Sequence, residues 1–301
     1  MTVLALLLCA GSHSAWALSL GPAMFMVQHV VPGQTLDVRK KAGVVFTVKN
    51  DTDTDGSYSL TCRKPSQNLG DWEAGYEEIP NPEWCVLEKT EFVVPAKTKV
   101  EIGLTINIPD KLDHYNCKWM LAVVLTAGKN TGIAVGLAIA ARVQIETAFS
   151  DDKQSGGASA IAAVPCVVQV KGKAGSVFAE SVTLRNNAQR ELECKSERLV
   201  DVYPKEDIKY PRYASPRFQA LVKETWLANV EPKFTMKNGE NHELKLNGQI
   251  PATAKPGGKW EELVFVSEVS ADPVLAPGKA GLVKRQVKTF FRVQYTVSEE
   301  K

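Results

Sequence analysis

Apolar residues recur at every second position over long stretches of this chain. Val100, Ile102, Leu104, Ile106 and Ile108 keep that period, as do Ile133, Val135, Leu137, Ile139, Ala141, Val143 and Ile145. Val287, Thr289, Phe291, Val293, Tyr295 and Val297 keep it again. Phe46 and Val48, then Tyr58, Leu60 and Cys62, alternate about an Asp/Gly turn. A period of two, broken by Gly, Pro, Asn and Asp, predicts half-buried antiparallel strands. The pattern predicts little helix. The best candidate starts at Ser215 as N-cap with Pro216 in the first position, and runs through Phe218, Leu221 and Val222.

The pattern also occurs twice. Trp84, Phe92, Glu101 and Pro109 stand 8, 9 and 8 residues apart, and so do Trp226, Phe234, Glu243 and Pro251. A further tryptophan follows each proline (Trp119 and Trp260) and opens an apolar run. Phe46 to Asn50 corresponds to Val182 to Asn186, and Arg142 to Ile145 to Arg292 to Tyr295. Such an ordered set of anchors implies two copies of one domain. Short strands about 8–12 residues apart, in a unit somewhat above 100 residues, predict an all-β protein of two tandem immunoglobulin-like antiparallel β-sandwich domains. The expected division is 18–148 and 160–301, with the Gly/Ser/Asp-rich stretch 149–159 as a flexible linker. The repeated tryptophans are expected between the sheets, each indole N–H with a partner.

The N-terminus adds a compartment. Thr2 to Ala10 is almost wholly apolar and is followed by Ala15-Trp16-Ala17, the pattern of a secretory signal peptide over 1–17. The apolar run Ile133 to Ala141 stops at Arg142, too short for a membrane helix of roughly 20 residues. The expected product is exported: periplasmic, extracellular or cell-surface. Of six cysteines Cys9 would leave with the signal peptide; in an oxidising compartment Cys62–Cys85 and Cys166–Cys194 could pair, leaving Cys117 odd, while free buried thiols account for the remaining five equally well. Lys+Arg 36 against Asp+Glu 34 gives a net charge of +2, too weak a field to indicate nucleic acid.

Catalytic chemistry is sparse. No G-x-S-x-G, Walker loop, G-x-G-x-x-G or H-E-x-x-H occurs. The neighbouring acids Glu77-Glu78 and Glu261-Glu262 would face opposite sides of a strand, so neither pair forms an acid–base couple. A protein that is not an enzyme is expected, with no cofactor unless calcium. Asp51, Asp53 and Asp55 before Gly56 space three carboxylates as in the first half of a calcium loop, although the same residues also suit a solvated hairpin turn. The run through Ile133, Val135, Leu137 and Ile139 to Arg142 sets large residues against Ala134, Gly136, Ala138 and Ala140. Small residues on one face suit either core packing or a partner strand lying close. Trp72, in the polar turn-rich Gly70-Asp71-Trp72-Glu73, is the tryptophan placed to stack on a sugar.

Pro32-Gly33-Gln34, Tyr76 to Trp84 and Pro95 to Pro109 give the chain a family likeness. It resembles exported bacterial tandem sandwich proteins, most of all the surface proteins that accompany WxL-domain proteins. More distantly it is similar to the two-domain periplasmic chaperones of pilus assembly and to sandwich modules appended to glycosidases. The first resemblance implies a cell-envelope protein binding protein subunits or cell-wall glycan in surface structure or assembly. The second implies a chaperone acting by strand addition, with Arg142, at the end of the first domain's last strand, in the place of the cleft arginine that grips a partner's C-terminus, and with no lysine assigned to pair with it. The third implies a carbohydrate-binding accessory module.

Overall fold

The computed structural model describes residues 18–69, 73–128, 138–202, 213–269 and 287–299. The first half forms β1 (Leu18–Gly21), β2 (Met24–Val30), β3 (Thr35–Asp37), the short helix α1 (Val38–Ala42), β4 (Phe46–Asn50) and β5 (Gly56–Arg63). It continues with β6 (Glu77–Glu78), β7 (Cys85–Leu87), β8 (Glu91–Val94), β9 (Lys99–Ile102), β10 (Leu104–Asn107), β11 (Lys118–Ala127) and β12 (Ala138–Thr147). The second half forms β13 (Ile161–Val164), β14 (Val167–Gly172), β15 (Val177–Asn186), β16 (Leu192–Arg198) and the one-turn helix α2 (Leu199–Val202). Then come β17 (Gln219–Ala220), β18 (Leu227–Asn229), β19 (Lys233–Met236), β20 (Asn241–Gln249), β21 (Lys259–Glu268) and β22 (Val287–Val297).

The two halves are wired alike. The large sheet of the first runs β2-β12-β11-β5-β8 with β6 against β11; that of the second runs β14-β22-β21-β16-β19 with β17 against β21. Opposite each lies a smaller sheet, β13-β15-β20-β18 in the second half. In the first it is split into β1-β4-β9 and β3-β10-β7. The split falls at Gly103, where the second copy carries Lys245 inside an unbroken β20. There the Gly103 carbonyl accepts from Glu88 N–H and its own N–H donates to the Glu88 carboxylate, and the ladder to β4 stops at Ile102. The chain is therefore two immunoglobulin-like sandwiches, as the repeat implied.

Each sandwich has its own core. Phe46, Leu60, Trp119 and Val143 lie in the first, and Val182, Leu184, Trp226 and Tyr295 in the second. A third buried cluster joins Tyr76 and Met120 of the first copy to Leu199, Val202, Tyr213, Leu263, Phe265 and Phe290 of the second. It forms because the outer faces of the large sheets meet each other. β11 is consequently buried on both faces from Lys118 to Leu125, not on one.

Two expectations are corrected. Ser215 does not cap a helix: Arg217 takes φ +73, in the left-handed region, and Gln219–Ala220 pairs in parallel with β21. Ser215 instead gives its N–H and hydroxyl to the buried Glu261 carboxylate, a tertiary bond that overrides the local signal. Nor is 149–159 loose. The Asn116 amide donates to Ser150 O and Ser155 Oγ and its oxygen accepts from Cys166 N, while Asn187 donates to Ser159 O. Gly156 sits there at φ +77, where a Cβ would come within 2.5 Å of Ala162 Cβ.

Candidate functional site

β12 is laddered along its whole length to β11, from Ala138 opposite Thr126 to Glu146 opposite Lys118. On its other side β2 joins only from Arg142, opposite Met24. Ala138–Ala141 is thus paired on one side alone among the described residues. Arg142 N–H donates to Ala23 O across that edge. Since bonding direction alternates along a strand, the N–H and C=O of Ala138 and Ala140 face the open side. Ile139 and Ala141 pack toward the first core, while Ala138 is exposed and Ala140 partly so. A strand laid on this edge would find small residues on the outer face and the rim of a hydrophobic core on the inner one.

Arg142 stands where this open stretch ends. Its Nη1 lies 3.2 Å from Glu73 Oε1, and the guanidinium side chain keeps 29% exposure. Its counterpart Arg292 is wholly buried and ties the sandwiches together. Arg292 Nε and Nη2 donate to Glu146, and Nη1 donates to Glu261 Oε1 at 2.9 Å and to the Tyr213 carbonyl. Tyr76 OH and Gln28 also donate to Glu146, and Gln294 donates to Glu261. Burial alone would raise the Glu146 carboxyl, yet the Arg292 guanidinium holds it down at about 2. The same motif residue is a lock in one copy and a partly exposed edge group in the other. Sequence reasoning found both arginines; it missed Glu146 because nothing local marks a partner 146 residues away.

The other expected site residues do not converge. Asp51 pairs with Lys49 and Asp53 with Lys97, while Asp55 accepts from Ala96 N. Among the described residues no group of three His, Cys, Asp or Glu side chains is placed to hold a metal ion. Trp72, Ile133, Val135 and Leu137 lie outside the described residues, as does the expected signal peptide. All five described cysteines, Cys62, Cys85, Cys117, Cys166 and Cys194, are free thiols, so the disulfide alternative is not realised. The tryptophans pack in pairs, Trp84 with Trp119 at 5.6 Å and Trp226 with Trp260 at 5.0 Å between centroids. Trp119 and Trp226 Nε1, expected to be partnered, are buried without a hydrogen bond. Glu261 and Glu262 do face opposite sides, the first on Arg292 and the second on Tyr295 and Thr225.

No family model matches the sequence, and no curated protein matches it. Solved structures do. The class 5 fimbriae chaperone CfaA aligns at 12% identity over 90% of this chain and 99% of its own, with a TM-score of 0.32. The E. coli chaperone DraB aligns at 8% identity over 94% and 99%, with a TM-score of 0.31. A protein of unknown function from Porphyromonas gingivalis W83 aligns at 10% over 93% and 99%, with a TM-score of 0.34. Likeness at this level concerns the fold alone. The resemblance to the proteins that accompany WxL-domain proteins gains no support from these matches. No helix among the described residues is long and apolar enough to cross a membrane.

Proposed function

We propose that this is an exported binding protein, without chemistry of its own, that holds an extended segment of a protein subunit by strand addition, as a periplasmic pilus-type chaperone does. One observation carries the reading: β2 leaves Ala138–Ala141 of β12 unpaired on the side where Ala138 and Ala140 present their backbone groups. An incoming strand would satisfy those groups and set its inward side chains beside Ile139. The open edge supports this reading; the likeness of fold does not decide it. A glycan-binding reading rests on Trp72, outside the described residues, and no described feature favours it.

The test is Ala140→Pro in the full chain. Proline removes an N–H from the open side and leaves the ladder to β11 intact. A stoichiometric complex with a subunit should be recovered from the periplasm with the unaltered chain and lost with the variant, at unchanged melting temperature. Equal recovery with both chains, or recovery of the protein only in an assembled surface fraction, overturns the proposal.

A further inference from the structure

Glycine follows asparagine at Asn238-Gly239 and again at Asn247-Gly248. Such a pair carries its own chemistry, because glycine has no Cβ to keep its backbone nitrogen away from the asparagine Cγ. Both asparagines are exposed. The fold treats their glycines differently.

Gly248 stands in β20 between Phe178 of β15 and Leu227 of β18. Alternation from the Asn186 N–H to Glu240 O bond turns the Gly248 N–H into the ladder with Phe178. A Cβ there would lie 2.1 Å from Trp226 O and 2.4 Å from Phe178 Cζ, so the backbone is enclosed as well. Freeing that nitrogen means parting β20 from β15. Asn238 and Gly239 are instead the central residues of the turn between β19 and β20, closed by Glu240 N–H on Lys237 O at 3.1 Å. Gly239 is exposed at φ +72, and its N–H is held by a hydrogen bond of 2.9 Å to Asn186 O. Loss of that bond opens a turn and leaves the strands paired.

The first copy builds the same turn without the chemistry. Thr98 N–H meets Pro95 O, and Lys97, at φ +57, gives its N–H to Thr52 O. Ala96 stands where the second copy has Asn238.

We propose that Asn238 is a site of spontaneous modification, converted to aspartate and isoaspartate when the turn at Asn186 opens, while Asn247 keeps its amide. The Gly239 nitrogen gives its proton to hydroxide and bonds to Asn238 Cγ; the Cγ–Nδ2 bond breaks, and ammonia leaves with a proton taken from water. Water then opens the cyclic imide at either carbonyl. Aspartate adds a carboxylate close to Glu240, whose own carboxylate accepts the Lys237 N–H. Isoaspartate lengthens the main chain by a methylene, so the turn closed by Glu240 and Lys237 no longer keeps its span. The mark falls on the second sandwich and is independent of whether β12 holds a subunit.

The full chain, kept folded at pH 8 for weeks and then peptide-mapped, tests the site, with isoaspartate read by isoaspartyl methyltransferase labelling. Product should accumulate at 238 and stay about tenfold lower at 247, whereas both sites should convert alike in the urea-unfolded chain. Asn186→Ala, which unfastens the turn, should speed conversion at 238 about tenfold. In the unaltered chain, urea below the unfolding midpoint should raise the rate at 247 more steeply than at 238, since parting strands exposes more surface than opening a turn. That comparison checks the gate without a variant. Equal conversion of the two sites in the folded chain, none at 238 while the unfolded chain is fully converted, an unchanged rate in Asn186→Ala, or equal urea dependence at the two sites overturns the proposal.

Discussion

Arg292 of the second sandwich and Glu146 of the first meet as a two-pronged ion pair, with Nη2 2.5 Å from Oε1 and Nε 3.0 Å from Oε2, both side chains buried. A buried pair of this kind adds little over a well-packed apolar pair, but removal of one member leaves the other charge stranded. Glu146→Gln should therefore lower unfolding free energy by about 3 kcal/mol in urea titration, with the interface between sandwiches loosening first. A loss below about 1 kcal/mol would show that the network does not fasten the two copies.

Acid should act on the same pair. Burial opposes ionisation of Glu146, yet Arg292 keeps its folded-state value at about 2 against an ordinary 4.5. A carboxyl lowered on folding contributes stability in full above pH 4.5, and that contribution is lost as pH falls through 2. Glu77 and Glu262 act in the opposite sense, since burial raises both. Denaturation between pH 5 and 2 should thus show falling stability in the unaltered chain and a flatter profile in Glu146→Gln. Identical profiles for the two chains would sink the assignment.

Asn50 and Asn186 perform one task in the two copies. The Asn50 amide donates to Thr54 O and Val94 O, and its oxygen accepts from Thr52 N. The Asn186 amide donates to Arg190 O and Met236 O, and its oxygen accepts from Ala188 N. Each is fully buried and fastens a turn to the neighbouring strand. Alanine at either position leaves buried carbonyls unmet and should cost about 2 kcal/mol, nearly equal in the two copies. Hydrogen exchange should place the loss in residues 50–55 for one variant and 186–191 for the other.

The thiols should be inert. Burial pushes Cys62 and Cys117 up to about 12 and Cys194 to about 11, and a thiol alkylates only as thiolate. Iodoacetamide at pH 8 should label the native chain slowly and the urea-unfolded chain on all five described cysteines. Rapid native labelling at Cys62, the least buried of the five, would contradict the packing around it.

Calcium should leave the melting temperature unchanged. Lys49 and Lys97 already occupy Asp51 and Asp53, and the three carboxylates point to separate partners. A calcium-dependent rise that disappears in Asp53→Ala would restore the metal site.

Much of this was legible in the residues. The paired spacings of Trp84 to Pro109 and Trp226 to Pro251 disclosed the duplication, because each anchor fills an equivalent place in an equally wired sandwich. The long alternations marked β9, β10, β12 and β22 because one face of each meets a core. Ser215 misled because its capping chemistry is real but directed to Glu261, on a strand 46 residues away. The linker misled because Gly, Ser and Asp suit tight, hydrogen-bonded turns as well as loose chain.

The sequence by itself determined the strands, their inward faces and the copying of one sandwich into two, since these depend on periodicity and local turn chemistry. The tertiary structure alone decided that the large sheets press their outer faces together, that Arg292 becomes a buried lock while Arg142 stays at an edge, and which strand edges remain open. Such outcomes depend on groups far apart in the chain coming into contact, and alternation records that a residue is covered without recording by what.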